Sequence, residues 1–197
     1  METTTTTRGA GRYHAVVVQS DIVGSTRLIE RAGDGYPGLL LRHRRIIAAA
    51  VGRLGGRFLS HAGDGTLAVF DRPGAAVRAA ADAQAALAAE PWPEGLAVRA
   101  RMGVHAGEVS DMDGEPVGLA INRGARMMAA AHAGQVLVSD AVVDALGAGG
   151  DGLEPGLALA DAGRHDLPDH AEPVRLHQVV GDGLTVVLPG CGHLAAA

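Results

Sequence analysis

The chain has 197 residues, of which 47% are hydrophobic and 3% aromatic, so it predicts one globular domain whose core consists of small aliphatic side chains. A formal net charge of −5 argues against binding to nucleic acid or to an anionic membrane, which requires a basic surface, and favours a small-molecule ligand. The single cysteine, Cys191, excludes an intramolecular disulfide. Because no signal-peptide core or run of ~20 apolar residues is present, we expect a cytoplasmic location.

The N-terminal region predicts a short tail followed by a buried strand. Residues 1–12 are polar and low in complexity, which predicts disorder. We predict that residues 13–182 form the domain and that residues 183–197 form a C-terminal tail. The β-branched run at 15–18 is typical of a strand buried on both faces, and this strand ends at Asp21 before a helix.

A long helix and a hairpin follow. Apolar residues recur at helical spacing from Tyr36 to Leu54, which predicts an amphipathic helix. Two short apolar runs then flank the tripeptide Gly63-Asp64-Gly65, which predicts a β-hairpin with a tight turn.

The second half of the chain alternates between helices and strands. This order predicts an α+β fold in which helices pack on a mixed sheet. The predicted elements are a helix at 75–89, a strand at 96–104, a helix at 118–131 with Ile121, Ala125 and Met128 on one apolar stripe, a strand at 135–138, a helix at 141–146, and two or three strands within 157–180.

Two aspartates are candidate metal ligands. Hard divalent cations prefer carboxylate oxygens, and Asp21 at a strand end and Asp64 at a hairpin tip could converge if their strands are neighbours. The alternative is structural, because Asp-Gly is an ordinary hairpin turn and an aspartate before a helix is often a capping residue.

Two further groups of residues suit a phosphorylated ligand. The backbone N–H groups of Gly24, Ser25 and Thr26, at a helix start, could bind a triphosphate. Asn122 and Arg126 are four residues apart on one predicted helix, so they share a face and can reach one ligand together. The alternative for this pair is a solvated helix face.

The chain resembles the class III adenylate and guanylate cyclases from about residue 15 to 180, which is most of its length. Five short segments carry the resemblance, and three of them, at 20–26, 63–65 and 118–126, occur in the order found in that family. The resemblance implies a ferredoxin-like α/β sandwich with a mixed, mainly antiparallel sheet. The segments are Ser20 to Thr26 (SDIVGST), Gly63 to Gly65 (GDG), Met102 to Glu108 (MGVHAGE), Gly118 to Arg126 (GLAINRGAR) and Glu172 to Val179 (EPVRLHQV).

The resemblance also implies an activity. A nucleoside triphosphate, ATP by default, would be converted to a 3′,5′-cyclic nucleotide and pyrophosphate. Asp21 and Asp64 would bind two Mg²⁺ or Mn²⁺ ions, which activate the ribose hydroxyl and neutralise phosphate charge. Asn122 would position the ribose and Arg126 would stabilise charge on the α-phosphate. Because family members build each site from both subunits, the resemblance implies a homodimer. Arg101 is assigned no role.

The sequence departs from the family at the positions that bind the base. Adenylate cyclases usually have a lysine where Ser60 lies and an aspartate or threonine where Glu115 lies. Pro168 occupies the place of a lysine that often binds the triphosphate, so Arg164 or another cation would have to substitute. A pyrimidine cyclase that makes cyclic UMP or cyclic CMP as an antiphage signal is therefore an alternative. A catalytically silent module that binds nucleotide or a partner is another.

Overall fold

A computed structural model describes residues 11–60, 63–148, 152–168 and 170–187. Most of the predicted N-terminal tail, the end of the C-terminal tail, and Cys191 lie outside the described residues. The described start of the C-terminal tail lies against the domain, since the backbone of Val187 exchanges two hydrogen bonds with the Gln178 side chain. The predicted domain boundaries stay predictions.

One mixed sheet organises the described residues. Its strand order is β2-β3-β1-β4-β6-β8-β7, and β5 pairs only with β4. All pairings are antiparallel except that of β4 with β6. The strands are β1 (Arg12–Ile22), β2 (Arg57–Ser60), β3 (Thr66–Phe70), β4 (Ala100–Met112), β5 (Glu115–Val117), β6 (Val136–Ser139), β7 (Ala158–His165) and β8 (Val174–Val180).

Helices pack on this sheet, which confirms the predicted α+β fold. No helix among the described residues is long and apolar enough to span a membrane. The helices are α1 (Ser25–Ala32), α2 (Tyr36–Arg53), α3 (Pro73–Ala89), α4 (Leu119–Ala130) and α5 (Asp140–Ala148), with a short 3₁₀ helix (Gly33–Gly35) between α1 and α2.

The central strand β1 is covered on both faces, as its β-branched run predicted. Val16 and Val18 pack in the core cluster that contains α2, α3 and α5, whereas Val17 points the other way, into the cluster beneath α4. This arrangement follows from the alternation of side chains along a strand. It places Asp21 near the end of a buried central strand.

Two sequence predictions were wrong in detail. The strand predicted at 96–104 begins at Ala100 and continues to Met112, because it pairs with the long strand β1 as far as Ser110 and with β5 from there to Met112. The apolar stripe of α4 is shifted by one residue, so that Ala120, Gly124 and Met127 are buried. The stripe includes a glycine, which a search for large apolar residues does not detect.

Candidate active site

Asp21 and Asp64 come to the same end of the sheet because β1 and β3 are antiparallel neighbours. Ser20 is opposite Thr66 in the register, and their hydroxyl oxygens lie 2.7 Å apart in a buried hydrogen bond. Asp21 follows Ser20 directly, and Asp64 precedes Thr66 by two residues. The two strands are therefore neighbours, which was the condition for the predicted convergence of the two carboxylates.

The electrostatics of this carboxylate pair fit a cation. Burial is the main cause that raises the pKa of Asp21; a hydrogen bond from Arg101 opposes it, and the charge of Asp64 raises the pKa further. The Oδ2 atom of Asp64 is buried and has no hydrogen-bond partner. A divalent cation bound by the two aspartates would relieve their repulsion.

The protein supplies few other metal ligands. Within the described ranges, no group of three or more His, Cys, Asp or Glu side chains is arranged to hold a metal. Two carboxylates alone suit Mg²⁺ or Mn²⁺ that is also coordinated by water and by substrate phosphates. The residues present therefore fit the metals that the resemblance implies.

Arg101 contacts Asp21, although nothing in the sequence pattern assigned it a role. It lies opposite Asp21 in the pairing of β1 with β4. Its Nη2 atom donates to Asp21 Oδ2 at 2.9 Å, and its Nη1 atom donates to the Ala129 carbonyl at 2.9 Å. Arg101 therefore connects a candidate metal ligand to the C-terminal end of α4. Only the strand register brings it there.

Helix α2 borders the same place. Burial raises the pKa of the Tyr36 hydroxyl, and the charge of Asp64 raises it further, so this side chain lies within electrostatic reach of the pair. One face of α2 also carries Arg44, which donates a hydrogen bond to the Gly63 carbonyl in the hairpin turn. The sequence analysis assigned no role to either residue.

The loop after Asp21 presents the predicted phosphate-binding segment. Gly24 is left-handed, with φ at 71°, and α1 starts at Ser25 without a side-chain cap. Glycine adopts this conformation without strain. Because no side chain caps the helix, the N–H groups at Ser25 and Thr26 are available to an anion.

Asn122 and Arg126 lie on the exposed side of α4, opposite the side formed by Gly124 that packs on β1. A Cβ atom on Gly124 would lie 2.5 Å from Gln19 Oε1, so the helix lies very close to the sheet. The structure confirms that the two residues share a helical face. They point away from their own sheet.

The residues at the base-binding positions lie in separate strands. Ser60 ends β2, where its backbone pairs with Thr66, and Glu115 is exposed in β5. Arg57 connects these regions, because it donates from β2 to the Gly114 carbonyl at 2.6 Å. Arg164, considered as a substitute cation, donates instead to the Pro173 carbonyl at 3.0 Å.

The chain is similar to known proteins over most of its length. No protein-family model matches the chain. A provisionally named adenylate cyclase 3 of Rhizobium meliloti is 32% identical to this chain over 168 aligned residues. The alignment covers 84% of this chain and 28% of that protein. The chain thus spans less than a third of that relative's length.

Solved structures extend the comparison. The adenylate/guanylate cyclase/hydrolase from Silicibacter pomeroyi is 30% identical, with a TM-score of 0.71, and the match covers 88% of this chain and 99% of that one. The catalytic core of a rhodopsin-guanylyl cyclase, solved with ATPαS, has a TM-score of 0.76 at 20% identity, covering 87% and 98%; it supports the fold alone. The chain therefore belongs to the class III adenylate/guanylate cyclase family, a family of lyases.

Proposed function

We propose that this chain converts a nucleoside triphosphate, ATP by default, to a 3′,5′-cyclic nucleotide and pyrophosphate in a homodimer. The observation that carries the proposal is the convergence of Asp21 and Asp64, from different segments of the chain, at one end of the sheet. Burial raises the pKa of Asp21 and the nearby charge of Asp64 raises it further, an arrangement that is unfavourable without a cation. Such perturbed groups are concentrated at functional sites.

Asp21 and Asp64 are the proposed ligands of two Mg²⁺ or Mn²⁺ ions. When bound, the ions would favour deprotonation of the ribose 3′-hydroxyl and neutralise charge on the phosphates. Asp64 contributes one carboxylate oxygen to these ions, and its buried Oδ2 atom has no hydrogen-bond partner among the described residues. Asp21 is partly neutralised by Arg101.

Three other groups complete the proposed site. The N–H groups of Gly24, Ser25 and Thr26 bind the triphosphate, which the partial positive charge of a helix N-terminus stabilises. Asn122 positions the ribose. Arg126 stabilises charge that develops on the α-phosphate, a role worth ~10³ to 10⁵ in rate for arginines in other phosphoryl-transfer enzymes.

The orientation of α4 supports a site shared between two subunits. Asn122 and Arg126 face away from the sheet that carries Asp21 and Asp64 of the same chain. Leu119 at the start of α4 is 69% exposed, and Met112 at the end of β4 is 61% exposed. Leu119 lies about one helical turn before Asn122, so a partner subunit that docks on this side of α4 would cover it.

The proposed reaction is tested by incubating the purified chain with each of the four ribonucleoside triphosphates and Mn²⁺. Products are identified by mass, and an Asp64→Asn variant serves as the matched control. Cyclic AMP is the expected product. If cyclic UMP or cyclic CMP forms instead, the substrate is a pyrimidine nucleotide, in line with the departures from the adenylate cyclase pattern at Ser60 and Glu115. If no nucleotide gives a cyclic product, the proposed reaction is wrong, and the chain is a catalytically silent module.

A further inference from the structure

One buried histidine has no assigned partner. His43 lies on α2, is 0% exposed, and neither ring nitrogen has a hydrogen-bond partner among the described residues. Leu39 and Ile47, one helical turn before and after it, are also buried. Burial lowers the pKa of His43 to about 4, so the neutral ring carries one N–H donor. Buried polar groups are usually paired, and an exception calls for an explanation.

The part of α2 that carries His43 lies close to the tip of the hairpin between β2 and β3. The charge of Asp64 acts on the ring and raises the pKa of His43 against the effect of burial. The next residue, Arg44, donates a hydrogen bond to the Gly63 carbonyl. This turn of α2 therefore lies beside the tip of the hairpin, where the Oδ2 atom of Asp64 is also buried and without a hydrogen-bond partner.

We propose that His43 is a positioning residue for Asp64. Its ring N–H donates to a water molecule that in turn donates to the buried Oδ2 atom, which leaves the other carboxylate oxygen to a metal. Asp64 needs such a support because glycines flank it on both sides, and glycine leaves the backbone unusually free. This inference rests on the proposed function, since it assigns Asp64 to the metal.

Groups that hydrogen-bond to a metal ligand, without contacting the metal themselves, fix the orientation of that ligand. Removal of such a group typically costs 10–100-fold in metal affinity or activity. A histidine that only fills space would behave differently, because a phenylalanine of similar shape would replace it without loss and would remove two unpaired nitrogens from the core. The two roles thus predict opposite results for one substitution.

The experiment compares His43→Phe, which lacks a donor, with His43→Asn and His43→Gln, which keep one. Mn²⁺ binding is measured by electron paramagnetic resonance of the free ion, in the presence of 3′-deoxy-ATP, which cannot cyclise. Thermal unfolding is measured without metal or nucleotide. Ile47→Val, one turn away on the same face, is the matched packing control. Asp64→Ala is the control for the metal site itself.

We expect His43→Phe to remain folded and to bind Mn²⁺ ~10–100-fold more weakly. At least one amide variant should restore most of the affinity, and Ile47→Val should bind as the parent does. Unchanged Mn²⁺ affinity in His43→Phe would overturn the inference. If His43→Phe does not fold, the nearly isosteric pair His43→Asn and His43→Leu decides: equal affinities overturn it, and weaker binding by the leucine variant supports it.

The Asp64→Ala control separates two kinds of failure. If Asp64→Ala loses Mn²⁺ while His43→Phe does not, only the role of His43 is overturned. If Asp64→Ala also binds Mn²⁺ as the parent does, the metal site of the proposed function is wrong, and the inference is overturned with it.

Discussion

Substitution of Gly103 by alanine should displace α4, the helix that carries Asn122 and Arg126. A Cβ atom on Gly103 would lie 2.6 Å from the backbone nitrogen of Met128 and 2.9 Å from the Gly124 carbonyl oxygen. Ordinary contacts begin at 3.4 Å, so the closest contact is 0.8 Å too short. Both atoms belong to the helix backbone and cannot rotate away, so α4 must move or the strand must bend.

The displacement has two measurable consequences. Overpacking of this kind costs about 1–3 kcal/mol, which for a domain of this size lowers the midpoint of thermal unfolding by roughly 2–12 °C. A misplacement near 1 Å can cost ~10²-fold in rate, so we expect a loss of that order in cyclase activity. Calorimetry measures the first effect, and a cyclic nucleotide assay under saturating Mn²⁺ measures the second.

Gly52→Ala is the matched control for this prediction. Gly52 lies on α2, and a Cβ atom there would meet nothing within 4 Å, so alanine should stabilise the helix slightly and leave activity unchanged. Because the defect in Gly103→Ala lies in α4, mixing it with Asp64→Ala should restore activity, whereas mixing it with Arg126→Ala should not. Parental stability and parental activity in Gly103→Ala would refute the reasoning.

Two further predictions concern charge. Burial lowers the pKa of His43 and of His105 to about 4, so both stay neutral in the folded chain while the unfolded chain binds protons near pH 6.5. The free energy of unfolding should be highest above that pH and should fall as the pH drops toward 4, by about 2 kcal/mol per histidine at pH 5. Urea denaturation at pH 7 and pH 5 measures this difference. If His43→Phe loses as much stability between these pH values as the parent chain does, the prediction is wrong. Because the hydrogen bond from Arg101 lowers the pKa of Asp21, Arg101→Leu should raise that pKa and move the acidic limb of the rate profile to higher pH. A limb at the parental pH would show that Arg101 does not control the charge of Asp21.

The sequence predicted the elements with strong local signals. The β-branched run before Asp21, the hairpin around Gly63-Asp64-Gly65 and the long helix from Tyr36 all occur where the pattern placed them. These signals are local, because strand burial, turn chemistry and helical spacing each depend on residues close together in the chain.

The features that the sequence could not predict depend on distant pairing. Arg101 meets Asp21 only because β1 and β4 are neighbours in one register, and no spacing within the chain encodes that contact. The close approach of α4 through Gly103 and Gly124 is likewise a property of two packed elements. In the sequence, His43 is one polar residue within a predicted helix. Only the structure shows that it is completely buried beside the hairpin.

The central claim is that Asp21 and Asp64 of one subunit act with Asn122 and Arg126 of another. It is tested most directly by mixing equal amounts of the inactive variants Asp64→Ala and Arg126→Ala under conditions that allow subunit exchange. In a two-fold dimer, half of the molecules are mixed and each of these has one intact site, so about a quarter of the parental activity should return. No activity on mixing, with subunit exchange verified by mass, would contradict a site shared between subunits.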